Sequence, residues 1–284
     1  MPTPPRSPTA ALVALLAWAA LSALWFVSPL FPMQALRELQ VATGGWLSVT
    51  LIASTGIGLV QLAIVFGPGR QSARDVGWHT RAIATALAGT ATLWALMHAG
   101  TLAWAFASGT AVSPAPGWAE GAGIALGPLI AQLLGTALME ETAFRGYLWP
   151  QLVLRLRAVA SARVAAIAGL LLSQAVFALL HVPVLLYRGL DGGALAGTLL
   201  MLFAVGIVFA FVYAATGNLW LAVGTHALAN APTLVLAPQG AHPTLWLMGG
   251  VVLMAAVAWS RRRAPPKAAA RTTHANADGM PGYT

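Results

Sequence analysis

Three short stretches of the chain hold the residues able to do chemistry. MEETAFRGY, from Met139 to Tyr147, sets Glu140 beside Glu141 and places Arg145 four residues after the second glutamate. FALLH spaces Phe177 and His181 by four, and HALAN does the same for His226 and Asn230. At about 3.6 residues per turn, positions four apart share a helix face. Glu141 therefore meets Arg145, while Glu140 is turned by about 100° and faces elsewhere. One carboxylate is neutralised and the other is left available. Desolvation and a neighbouring negative charge both make a carboxylate more basic, which suits Glu140 to taking up and returning a proton. His226 and Asn230 put an imidazole and a carboxamide side by side, two aligned hydrogen-bond donors. Phe177 flanks His181 on its own face. A base, a second imidazole and a donor pair are the parts that addition of water to a carbonyl group requires.

The surroundings make these residues expensive. Of 284 residues, 58% are hydrophobic and 8% charged, and the mean hydropathy is +0.77. Soluble domains are about a quarter charged, so the chain reads as an integral membrane protein. An ionised carboxylate at depth costs at least ~2.5 kcal/mol even on the lenient insertion scale. Glu140, His181, His226 and Asn230, on three separate apolar segments, are therefore expected to converge in one polar pocket. The plainer alternative ends the helix near Met139 and leaves the glutamates solvated at a boundary. His98 has no polar neighbour at helical spacing and is read as a helix-to-helix hydrogen-bonding residue.

The apolar runs predict an all-α, polytopic transmembrane bundle of about eight spans. They run from Ala10 to Val27, Trp46 to Phe66, Ala82 to Ala107, Ile124 to about Leu154, Val164 to about Tyr187, Ala194 to Ala214, Leu219 to Leu236, and Leu245 to Trp259. Pro29 and Pro32 and the turn stretches at Gly67, Ser113, Gly189 and Thr216 separate them. With both termini cytoplasmic, Arg6, Arg70, Arg74, Arg81, Arg155, Arg157, Arg163, Arg261 to Arg263, Lys267 and Arg271 fall inside, and only Arg37 and Arg188 outside. Removing the first span as a secretory signal gives no better account of these charges. Residues 1–9 and the basic tail 261–284 read as disordered cytoplasmic ends around one membrane domain, 10–260.

Depth constrains the pocket. His181 lies about 25 Å along its helix, and Glu140 reaches a similar depth only if its helix continues through Arg145 and Pro150 to about Leu154. A long fourth helix, kinked at Pro150, is expected. His226, only about 12 Å past the Thr216 turn, needs tilt or a re-entrant start.

The chain has no cysteine, which removes disulfides, thiolate nucleophiles, cysteine-ligated zinc and iron–sulfur clusters. The net charge of +8 sits in short loops rather than among aromatics on a soluble domain, so no nucleic-acid partner is expected. No cofactor is expected either. The alternative is a zinc ion held by Glu140, His181 and His226 with one open position, although a zincin HExxH helix is absent. A proton relay in a small transporter would use the same residues, but no pair of matching Gly/Pro-broken helices is visible.

EETAFR, FALLH and HALAN, in that order, resemble the motifs EExxxR, FxxxH and HxxxN of the CPBP family of intramembrane peptidases, which includes CAAX prenyl protease-like and abortive-infection or bacteriocin-processing members. The resemblance covers about 121–236. It implies an intramembrane endopeptidase of the cell (inner or plasma) membrane acting on membrane-associated or lipidated peptides. Glu140 and His181 would activate water, His226 and Asn230 would stabilise the oxyanion, and Glu141, Arg145 and Phe177 would support the site. It also implies a metal-independent, glutamate-based mechanism. A non-catalytic membrane scaffold or immunity protein on the same fold is the alternative. Nothing in the sequence sets an oligomeric state.

Overall fold

Runs of leucine, alanine and valine bounded by glycine, proline and small capping residues form the long helices. The computed structural model describes residues 4–238 and 242–263. In chain order the helices are α1 Thr9–Phe26, α2 Met33–Ala42, α3 Val49–Phe66, α4 Ile83–Ser108, the single turn α5 Gly117–Glu120, α6 Ala122–Leu156, α7 Ala162–Leu179, α8 Val182–Tyr187, α9 Gly192–Thr216, α10 Leu219–Asn230 and α11 Pro243–Arg263. Strands β1 Val112–Pro114 and β2 Leu236–Pro238 pair antiparallel, with Ser113 opposite Ala237. The side chains of Ser48, Ser161 and Asn218 cap α3, α7 and α10 by accepting from backbone N–H groups one turn on.

Among the described residues seven helical stretches are long and apolar enough to cross a membrane, one fewer than the sequence suggests. The expected span from Leu219 to Leu236 is helical only over the 12 residues of α10, about 18 Å against a hydrocarbon thickness of about 30 Å. Pro232 supplies no N–H to continue the helix, and Thr233 adopts a left-handed φ of 50°. The segment nevertheless runs beside α4 from end to end. Asn218 donates to Ala82 O at the start of α4 (2.9 Å), Gly224 packs against Thr90, Trp94 Nε1 donates to Thr233 O (3.2 Å), and Val235 N donates to His98 Nε2 (3.1 Å). Leu234 O accepts from Trp118 Nε1 (2.9 Å) and Val235 O from Ala115 N (3.0 Å). The passage is made half as helix and half as extended chain, its polar backbone satisfied by side chains of α4 and α5 and by β1. His98 anchors this arrangement, donating from Nδ1 to Trp94 O and accepting at Nε2.

The helix carrying the glutamates is long, as expected: α6 continues for 35 residues. It is not broken at Pro150. Instead Glu141–Leu148 widens into π-helical turns, as does Gln132–Thr136. Proline lacks an N–H and crowds the carbonyl of Gly146 four residues back, and a wider turn just before it relieves both faults. Gly123 and Gly127 let α6 approach the carbonyls of Gly44 and Gly45, and Gly135 lets it meet Ser54, the small-residue packing of membrane bundles.

Two further expectations are corrected. The span expected from Val164 to about Tyr187 is present as Ala162–Tyr187, but its helix is interrupted by a two-residue turn at Leu180 and His181, because Pro183 near the start of α8 cannot continue α7. His181 therefore ends one helix rather than lying within it. Residues 5–7, read as disordered, are clamped: Ser7 N donates to Gln151 Oε1 (2.9 Å), Ser7 Oγ to Gly69 O (2.6 Å), Gln151 Nε2 to Pro5 O (2.8 Å) and an Arg155 N–H to Ser7 O (2.7 Å). The basic tail beyond Arg263 lies outside the described residues.

Candidate active site

Glu140 and Glu141 stand near the middle of α6, where the wider turns begin. Glu141 is fully buried. Its Oε1 lies 3.0 Å from Arg145 Nη1 and accepts from His226 Nδ1 at 2.8 Å. Arg145, also fully buried, donates from Nη2 to Gln174 Oε1 (2.9 Å) and to Gly206 O (3.0 Å). Its guanidinium lies over the ring of Phe177, 4.8 Å from the centroid, with Phe209 at 5.7 Å. A buried ion pair is tolerable when its remaining donors and acceptors find partners; Gln174, Gly206 and His226 supply some of them, while among the described residues Glu141 Oε2, Arg145 Nε and Gln174 Nε2 have no hydrogen-bond partner.

His226 on α10 is held on two sides. Its ring stacks on Phe209 at 4.6 Å and 21°, and its Nδ1 is bound to Glu141. Nε2 faces Glu140, 3.6 Å from Oε2. The row Arg145, Glu141, His226, Glu140 thus joins a buried cation to the one carboxylate of the pair that meets open space, the Glu140 side chain being 25% exposed. The spacing argument correctly separated the two glutamates.

His181 sits edge-on to Phe177, its Nδ1 2.8 Å from Phe177 O. A carbonyl can only accept, so Nδ1 carries the proton and neutral His181 has a lone pair at Nε2. The same logic applies to His226: with Nδ1–H given to Glu141, Nε2 donates only when the ring is protonated.

Asn230 was expected to work beside His226 on one face. It donates from Nδ2 to Gln132 Oε1 at 3.0 Å, across the gap to the first wide turn of α6. Gln132 was missed in the sequence. Its signal was a polar side chain on an apolar helix eight residues before Glu140; regular helical spacing leaves it about 80° past two full turns, and the wider turn at Gln132–Thr136 brings both side chains to one cavity wall. Gln132→Ala should leave Asn230 unoriented and lower kcat about ten- to a hundredfold with little change in KM. Gln132→Glu, which keeps the acceptor oxygen, should retain most activity. Parallel steady-state kinetics of the two variants provide the check.

Glu140, His181 and Gln132 share the wall of a cavity of about 380 Å³ enclosed by α1, α3, α6, α7 and α8. Phe144 and Phe177 form its floor and Ala19, Ala23 and Ile57 much of its apolar side. Among the described residues no group of three His, Asp or Glu side chains is gathered closely enough to hold a metal ion.

Gly206 is part of the site through its missing side chain. A Cβ there would lie 2.6 Å from Gln174 Oε1 and 3.2 Å from Arg145 Nη2. Gly206→Val should push Gln174 off the guanidinium and cost about 1–3 kcal/mol, read as a lowered thermal midpoint in detergent.

Residues 122–232 match the family described as type II CAAX prenyl endopeptidase, Rce1-like. The matched segment contains α6 through α10 and the polar residues placed at the site above, but not the α1 and α3 residues that line the cavity. Comparisons with curated proteins and with solved structures returned no match.

Proposed function

We propose that this multi-pass membrane protein, which carries an Rce1-like CAAX endopeptidase domain over residues 122–232, is an intramembrane endopeptidase of the cell membrane that hydrolyses peptide bonds of membrane-associated polypeptides. The observation that carries the reading is Glu140: a carboxylate facing a cavity at mid-helix, 3.6 Å from an imidazole whose other nitrogen is tied to a buried Glu141–Arg145 pair.

In this reading a water in the cavity is held by two acceptors, the Glu140 carboxylate and the Nε2 lone pair of His181. Glu140 takes one proton as the water oxygen adds to the scissile carbonyl carbon. The oxygen of that carbonyl becomes an oxyanion. It is met by the second amide hydrogen of Asn230 and by Nε2–H of protonated His226, which then lies between the carboxylates of Glu140 and Glu141. When the intermediate collapses, the C–N bond breaks and Glu140 returns its proton to the leaving amine. Glu141, Arg145 and Phe177 touch no reacting atom. They hold His226 and His181 in orientation.

The test is a mass-spectrometric comparison of membrane peptides from cells making equal amounts of the wild type or Glu140→Gln. New termini that appear only with the wild type support proteolysis and name the substrate. Identical profiles would remove the catalytic roles and favour a non-catalytic scaffold.

A further inference from the structure

The cavity has a direction. The stretches preceding α1 and α4 and following α3 and α6 carry Arg6, Arg81, Arg70, Arg74 and Arg157, and the last turn of α6 and the first of α7 carry Arg155 and Arg163. The clamp joining Ser7, Gly69, Gln151 and Arg155 ties the foot of α1, the end of α3 and the end of α6 together, so this is one end of the bundle. Arg37, beside Glu38 on α2, and Arg188, near Asp191, belong to the opposite end. An excess of arginine marks the cytoplasmic side of a membrane protein.

Most of the cavity lies toward the arginine-poor end, and it reaches only a little past mid-helix at Gln61 and Phe144. From α1 it takes residues between Ala19 and Phe26, the last turns of that helix; from α3 it takes residues between Thr50 and Gln61; from α6 it takes only residues from Gln132 to Phe144; and it reaches Val184 and Arg188 in and after α8. Beneath Glu140 the way is closed. Leu12, Leu15, Val65, Tyr147 and Leu148 pack with Phe144 and Phe177 as one buried apolar cluster, and the Ser7 clamp lies below that.

We infer that the catalytic cavity opens to the non-cytoplasmic side of the membrane and takes its substrate from there: a segment of an exported or membrane-anchored polypeptide displayed at the outer face. This rests on the peptidase reading for the word substrate, but the sidedness stands on cavity, packing and charge alone. Such a substrate approaches along the outer halves of α1 and α3, which precede the matched segment 122–232. These two helices, and not the motif-bearing ones, then decide which polypeptides reach Glu140.

The chain has no cysteine, so single cysteines can report the direction. Thr50→Cys near the mouth, Thr136→Cys one turn above Glu140 and Ala158→Cys at the arginine-rich end would be exposed to a membrane-impermeant maleimide in intact cells and in inverted membrane vesicles. The expected result is that Thr50→Cys and Thr136→Cys are labelled in intact cells and Ala158→Cys only in inverted vesicles. Labelling of Thr136→Cys from the cytoplasmic side, or from neither side, overturns the inference, as does labelling of Ala158→Cys in intact cells. Labelling needs no turnover. A protein that labels as expected but generates no Glu140-dependent termini refutes the peptidase reading and leaves the sidedness intact.

Discussion

Glu140→Gln is expected to slow peptide-bond hydrolysis by about 10²–10⁴-fold, the usual contribution of a positioned general base, while the protein folds as before. The amide is isosteric and the side chain meets the cavity, so no buried charge is stranded. Its neighbour should behave differently. Glu141 is fully buried and joined to both Arg145 and His226, so Glu141→Gln should lower activity and thermal stability together. The check is kcat on a peptide identified from the membrane comparison, alongside melting curves of both variants in detergent. Equal kcat for wild type and Glu140→Gln would end the proposed mechanism.

Arg145→Leu carries the largest expected cost to folding. Removing the guanidinium leaves the Glu141 carboxylate buried with a single imidazole as partner and takes the donor from Gln174 and Gly206. Breaking a buried pair in this way costs about 3–5 kcal/mol, enough to lose most folded protein on expression. Arg145→Lys should rescue little, because an ammonium cannot reach Glu141, Gln174 and Gly206 at once while lying over Phe177. The double variant Glu141→Leu/Arg145→Leu should recover much of the stability, since an apolar pair of similar volume replaces a buried ion pair at little cost. It should stay inactive, because His226 then has nothing to hold Nδ1. Folded yield and melting temperature of the three variants decide the matter, and a double variant no more stable than Arg145→Leu alone would sink the argument.

The chemistry-bearing residues were legible because charge is conspicuous in an apolar chain. Glu140, Glu141, Arg145, His181 and His226 are the polar groups that hydropathy cannot explain, and helical spacing alone sorted Glu141 toward Arg145 and Glu140 away from it. Gln132 escaped because a neutral amide is cheap enough to pass without comment, and its meaning appears only when Asn230 arrives from 98 residues away. The shape of the seventh passage, Leu219 to Leu236, escaped for a related reason. Hydropathy counts apolar side chains, and APTLVL at Ala231 to Leu236 scores as membrane whether or not it is helical. What it cannot register is where Thr233 O and Val235 N find partners, since Trp94 and His98 lie on a helix more than a hundred residues earlier. The turn at His181 was written in Pro183, but the length of the apolar run on either side of it hides the interruption. The clamp on Ser7 was hidden by composition: a proline-rich start reads as disordered until Gln71, Gln151 and Arg155 supply its hydrogen bonds.

The half-helical passage after Asn218 also bears on how the protein is made. A complete transmembrane helix can leave the insertion machinery alone, since its backbone is satisfied within itself. Residues 231–238 cannot, because their carbonyl and amide groups are satisfied by Trp94, His98, Ala115 and Trp118. This stretch must wait in a polar setting until α4 and the loop after it are already at hand. Assembly of the bundle is therefore ordered: α4 serves as the template on which the last part of the matched segment is laid down, and His226 reaches Glu140, and Asn230 reaches Gln132, only once that template is in place.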